Sequence, residues 1–138
     1  MKTEGPIVAR MSEQISRLDA MEALAEGYRE AGLREKAETV LGEFHAQVSS
    51  LTDATILKAP FLAAEARSRA RLGDRESALE VLSDASRIAS SAYLVDRPAV
   101  LANVAAAYHV AGDSAKAQST LAAAISTAEG LVNARPRA

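Results

Sequence analysis

Three short stretches decide how this chain folds: Ala31-Gly32-Leu33-Arg34-Glu35-Lys36-Ala37, Leu72-Gly73-Asp74-Arg75-Glu76-Ser77-Ala78 and Ala111-Gly112-Asp113-Ser114-Ala115-Lys116-Ala117. In each, a glycine stands five residues before an alanine, and the glycines lie 41 and then 39 residues apart. Glycine takes the left-handed conformation that closes a helix. Asp74 and Asp113 follow directly, where a carboxylate can accept from the orphan N–H groups of a new helix, worth about 1 kcal/mol. Leu33 holds that place in the first stretch and offers no such cap. Each stretch reads as the turn of a helical hairpin.

The flanks repeat as well. After each alanine, apolar or small residues return in steps of a helical face: Leu41, Phe44 and Val48; Leu82, Ala85 and Ala89; Leu121, Ala124 and Ala128. Before the glycines stand Met21, Leu24, Ala25 and Tyr28 in the first unit and Leu101, Val104, Ala105 and Tyr108 in the third. The middle unit has Leu62, Glu65, Ala66 and Arg69 at the matching places.

This pattern predicts an N-terminal helix at about 6–18. Hairpins follow, pairing 19–31 with 34–51, 60–72 with 75–92, and 98–111 with 114–132. The first helix, carrying Ile7, Val8, Met11, Ile15 and Leu18, can run unbroken into the second, because Asp19-Ala20 is a weak break. Pro98 fits the first turn of a helix capped by Asp96. Pro60 fits a similar place without a good cap before it, so 52–59 reads as a loop or as an early helical start from Asp53. A self-similar period of this length marks a repeat architecture, here one domain over 1–138.

Composition supports the helical reading and removes several function classes. Alanine fills 31 of 138 positions and hydrophobic residues make up 49%, which favours closely approaching helices around a sizeable core. The net charge of −2 gives no reason to expect nucleic acid or an anionic membrane as partner. Without cysteine the chain has neither disulfides nor thiolate metal sites. No apolar run after Met1 is long enough for a signal peptide or a span, so a soluble, cytoplasmic protein is the expectation.

His45 and His109 are the only histidines, 64 residues apart, and neither has a second ligand at metal-binding spacing. No nucleophile elbow, phosphate-cradling glycine loop or dinucleotide fingerprint occurs. Neither catalysis nor a cofactor is expected.

The units resemble tetratricopeptide repeats. Met21, Leu62 and Leu101 match the large apolar place of that pattern, Leu24-Ala25 and Val104-Ala105 its Leu-Gly pair, and Tyr28 and Tyr108 its tyrosine. Ala37, Ala78 and Ala117 match its alanine, and Leu41, Leu82 and Leu121 its phenylalanine, so the likeness covers about residues 18–132. The spacing exceeds the usual period of about 34, and Glu65 and Arg69 replace the expected leucine and tyrosine of the middle unit.

The resemblance implies an all-α, α-α superhelix of three hairpins plus an N-terminal helix. It also implies a protein or peptide partner held on a concave face lined by first helices. Carried over by position, that face comprises Glu22, Glu26 and Arg29 from the first unit, then Arg67, Arg71 and Ala63 from the second. Asn103, Ala106 and His109 come from the third. A peptide carboxylate could meet Arg67 and Arg71 while Asn103 holds a backbone group; alternatively, Glu22, Glu26 or Glu30 pairs with those arginines across adjacent helices. A second expectation is self-assembly as a homodimer through residues 114–132, whose Leu121, Ile125, Ala128, Leu131 and Val132 are accompanied by few charges.

Overall fold

The computed structural model describes residues 4–53 and 55–133. It is all-helical: α1 (Glu4–Glu30), α2 (Arg34–Ser49), α3 (Lys58–Arg71), α4 (Arg75–Ser90), α5 (Arg97–Val110) and α6 (Ser114–Asn133). Among the described residues there is no strand. The two stretches expected at 6–18 and 19–31 form one helix, since neither Asp19 nor Ala20 interrupts the backbone ladder. Helix α3 starts at Lys58, so Asp53 begins no helix. Pro60 then falls in the first turn of α3, where its missing N–H costs nothing.

Each expected turn is present. Gly32, Gly73 and Gly112 have φ of 78°, 88° and 83°, the left-handed region that an L side chain enters only at a cost. The following N–H reaches back over the turn each time, from Leu33 to the Tyr28 carbonyl, from Asp74 to Arg69 and from Asp113 to Tyr108. Asp74 accepts from the Ser77 N–H at 3.2 Å and Asp113 from the Lys116 N–H at 3.1 Å, while Leu33 caps nothing. Asp96 precedes α5 but makes no side-chain cap; the proline at the start of that helix is the only local signal used there.

The helices pack as three antiparallel hairpins, α1 with α2, α3 with α4 and α5 with α6, each set beside the next. Between hairpins, α2 lies on α3 and α4 on α5. The main core runs through them, with Leu18, Phe44, Leu62, Leu82 and Val104 fully buried. Phe44 meets Phe61 edge to face at 5.8 Å between ring centres, a geometry worth about 1 kcal/mol beyond area burial. Ala63, expected on the concave face, is instead fully buried in this core. There α3 packs closely on α5, an approach that alanines permit. The α1–α3 contact is slighter, because Glu22, Glu26, Arg67 and Arg71 stand between the two helices.

Leu121 departs from its equivalents. Leu41 and Leu82 are 1% and 0% exposed, whereas Leu121 is 47% exposed. In the first two units a following hairpin covers this face; among the described residues none follows α6.

Candidate functional site

The charged residues expected on the first helices do come together. Glu26 on α1 accepts from Arg29 Nε at 3.0 Å through one oxygen and from Arg71 Nη1 of α3 at 3.1 Å through the other. Its burial pushes the carboxyl up, but the Arg29 hydrogen bond and charge and those of Arg71 outweigh this and hold it below the ordinary value. The crossing from acidic α1 to basic α3 is therefore realised inside the molecule, by Arg71.

Glu22, one turn earlier, behaves in the opposite way. Burial is the largest influence and pushes its carboxyl up, with help from Asp19 and Glu26, against the pull of Arg67 and Arg71. Neither Glu22 nor Arg67 makes an ion pair within 4.0 Å or a side-chain hydrogen bond among the described residues. Arg67 is half-buried. A cation in that position retains capacity for a carboxylate, since Arg71 is engaged and Arg67 is not.

The α5 residues stand apart from this cluster. Ala106 and His109 are exposed and Asn103 is half-buried; among the described residues none of them hydrogen-bonds to the α1 or α3 charges. The Asn103 side-chain oxygen is buried without a partner. Such a group costs free energy until something donates to it.

A second polar cluster lies between hairpins. Glu65, 1% exposed, accepts from Arg69 Nε at 2.7 Å and is 2.8 Å from Nδ1 of His45 on α2. Where the other units have Leu24 or Val104 and Tyr28 or Tyr108, the middle unit has Glu65 and Arg69, which pair with each other and are joined by a histidine from the preceding unit. The four-residue spacing of Glu65 and Arg69 was the available signal; nothing local announced His45. A small polar depression here also includes Ser77, Glu80 and Asp84. Among the described residues no group of three or more His, Cys, Asp and Glu side chains is placed to hold a metal ion.

Cations also close helix ends. Lys58, buried at the start of α3, donates to the Leu51 carbonyl at 2.8 Å and to Asp53 at 2.9 Å. Arg97, at the start of α5, donates twice to the Ala92 carbonyl, at 3.0 and 2.7 Å. Away from the charged face, an apolar depression lined by Met11, Ile15, Leu51, Ile56 and Tyr93 opens between the first half of α1 and the interhelical loops. No helix among the described residues is long and apolar enough to cross a membrane. No protein-family model matches this chain, and neither a curated protein nor a solved structure matches it.

Proposed function

We propose that this chain is a non-catalytic, tetratricopeptide-like interaction module that holds a peptide or protein segment on the face of α1, α3 and α5. Arg67 carries the reading: it is half-buried, faces Glu22 and has no ion-pair partner among the described residues, while its neighbour Arg71 is neutralised by Glu26. A carboxylate of an extended segment would satisfy Arg67, and the half-buried Asn103 would hold a backbone group of the same segment through its amide. Glu22, Glu26, Arg29 and Arg71 then shape the polar wall, with Ala106 and His109 at the far side. A cytoplasmic adaptor or scaffold role fits such a surface.

The test is selection of a displayed peptide library on the folded protein, followed by titration of the enriched peptides against Arg67→Ala and Asn103→Ala. Acidic peptides should be enriched and should lose at least about tenfold in affinity on Arg67→Ala, with helical content unchanged. Peptides that bind both variants as well as the parent would overturn the groove assignment.

Self-association is the second reading, favoured by the half-exposed Leu121 of α6. In its simplest form two copies would pair their last helices, residues 114–132, about a two-fold axis.

A further inference from the structure

The repeat offset relates residues at the two ends of the stack. The spacing of the glycines, 41 and then 39, relates Arg17, Lys58 and Arg97 to one another. Lys58 and Arg97 do the same work: each donates to a carbonyl at the C-terminal end of the preceding hairpin, Leu51 and Ala92, which are themselves equivalent positions. Arg17 is exposed and makes no hydrogen bond or ion pair among the described residues. It holds the place of the clamp, with no hairpin before it among the described residues. The position equivalent to Leu51 and Ala92 in the third unit is Leu131, in the last turn of α6, a turn with no basic residue of its own. A cation there is favoured by the unpaired carbonyls and the helix dipole.

The faces agree with the clamp. His45 of α2 reaches forward to Glu65, and Ser86 of α4 lies beside the Tyr108 hydroxyl. Their equivalent on α6 is Ile125, 53% exposed. Glu65, which receives His45, and its repeat equivalent Val104 are 1% and 0% exposed, while their counterpart on α1, Leu24, is 48% exposed. The places held by His45 and Glu65 between the first two hairpins are thus held by Ile125 and Leu24 at the two ends, aliphatic on both sides. Gly27 and Ala31, which flank Leu24, are small, uncharged and exposed. The ends of a helical stack are ordinarily polar; here the open faces are apolar, and they match.

We propose that a second copy of this chain docks head to tail, its α1 laid on the outer face of α6. Leu24 meets Ile125, and Arg17 clamps the last carbonyls of α6. The contact rests on the self-association reading and replaces its two-fold pairing with a heterologous one. It repeats the unit-to-unit packing already made twice within the chain, and it leaves an open face at each end of any pair, so growth continues unless a ring closes.

Light scattering across a dilution series of the full chain, with Leu24→Glu, Ile125→Glu and Arg17→Gln beside it, tests this. All three substitutions fall on exposed positions, and circular dichroism checks that helical content is kept. The parent should rise above the 14.5 kDa of one chain as concentration increases. Leu24→Glu and Ile125→Glu should each remain monomeric. Their equimolar mixture should form a complex of two chains and stop there, because one retains a sound α6 and the other a sound α1. Arg17→Gln should weaken association several-fold. A parent that stays monomeric overturns both this contact and self-association itself. If the mixture forms no complex, head-to-tail docking fails; if Leu24→Glu still associates while Ile125→Glu does not, it fails and the two-fold pairing of α6 stands.

Discussion

Arg75, in the first turn of α4, donates from Nε to the carbonyl of Ala111 at 2.9 Å, and its Nη2 lies 3.4 Å from the Gly112 carbonyl. The residue that begins the second helix of one hairpin thereby closes the first helix of the next. Arg34 stands two residues after Gly32 as Arg75 does after Gly73, and its guanidinium lies near Gly73, although its Nε turns to Glu38 at 3.4 Å. The turn glycines are required by their positive φ and not by the arginines, since a β-carbon at Gly112 would make only an ordinary contact of 3.6 Å with Arg75 Nε.

Replacing Arg75 by alanine should therefore loosen the joint between the second and third hairpins. The contact is partly exposed, so the loss should be about 1 kcal/mol, read as a lower midpoint in urea unfolding with little change in slope. Hydrogen exchange should quicken at the turn after α5 before it changes in α2. Uniform exchange across the chain would show that the arginine does not hold this joint.

Glu65 poses a sharper case. Truncation to alanine leaves Arg69 and His45 facing a space with no carboxylate, and removing one partner of a buried pair costs about 3 kcal/mol. Changing both residues toward the repeat pattern, Glu65→Leu with Arg69→Tyr, should recover most of that loss, because apolar replacement of a buried pair is often neutral. Urea melts of the single and double variants decide it. A double variant no better than Glu65→Ala would mean that the pair is required by the surrounding packing.

The contrast between these residues shows what could be read from the sequence. The turns were legible because glycine and aspartate act locally, through φ and through a cap within three residues. The hairpin register followed from them, as did the buried places of Leu41, Leu82 and Val104. On the candidate face, the possibility of Glu26 pairing with Arg71 was visible from charge and register alone. Three things were not. Ala63 is buried because α3 packs against α5 as well as α4, a contact between helices separated by the whole of α4 that no local pattern encodes. Lys58 is buried because it reaches back across a loop to the Leu51 carbonyl, two residues past the end of α2, and to Asp53. Leu121 follows the core pattern perfectly and is nevertheless half exposed, since periodicity marks the face a helix offers and says nothing about whether anything covers it.

Lys58→Met tests the loop joint directly. The aliphatic stem is kept, while the hydrogen bonds to the Leu51 carbonyl and to Asp53 are lost. Asp53 is held below the ordinary carboxylate value first by the hydrogen bond from Lys58 and then by that from Arg87, so part of its anchoring survives. A loss of about 1–2 kcal/mol with faster proteolysis around residues 50–57 is expected. Unchanged cleavage there would show that the loop is fixed by other contacts.

Glu22 and Glu26, one turn apart on α1, should respond to pH with opposite signs. Glu26 is held below its unfolded value, so its stabilisation is present above that value and is lost as pH falls through the lower folded one. Glu22 is pushed above its unfolded value, chiefly by burial. Its ionised form therefore opposes folding, a penalty absent at low pH that develops as pH rises through the ordinary glutamate value of about 4.3 and is complete above the raised folded value. Glu26→Gln should consequently lower the melting temperature at neutral pH, and Glu22→Gln should raise it. Both differences should shrink as the pH is taken down through the carboxylate range, where the parent side chains are also neutral. Thermal melts of the three proteins over that range provide the measurement. If Glu22→Gln destabilises at neutral pH, the attraction of Arg67 exceeds the cost of burial, and Arg67 is not free to receive the carboxylate of a partner.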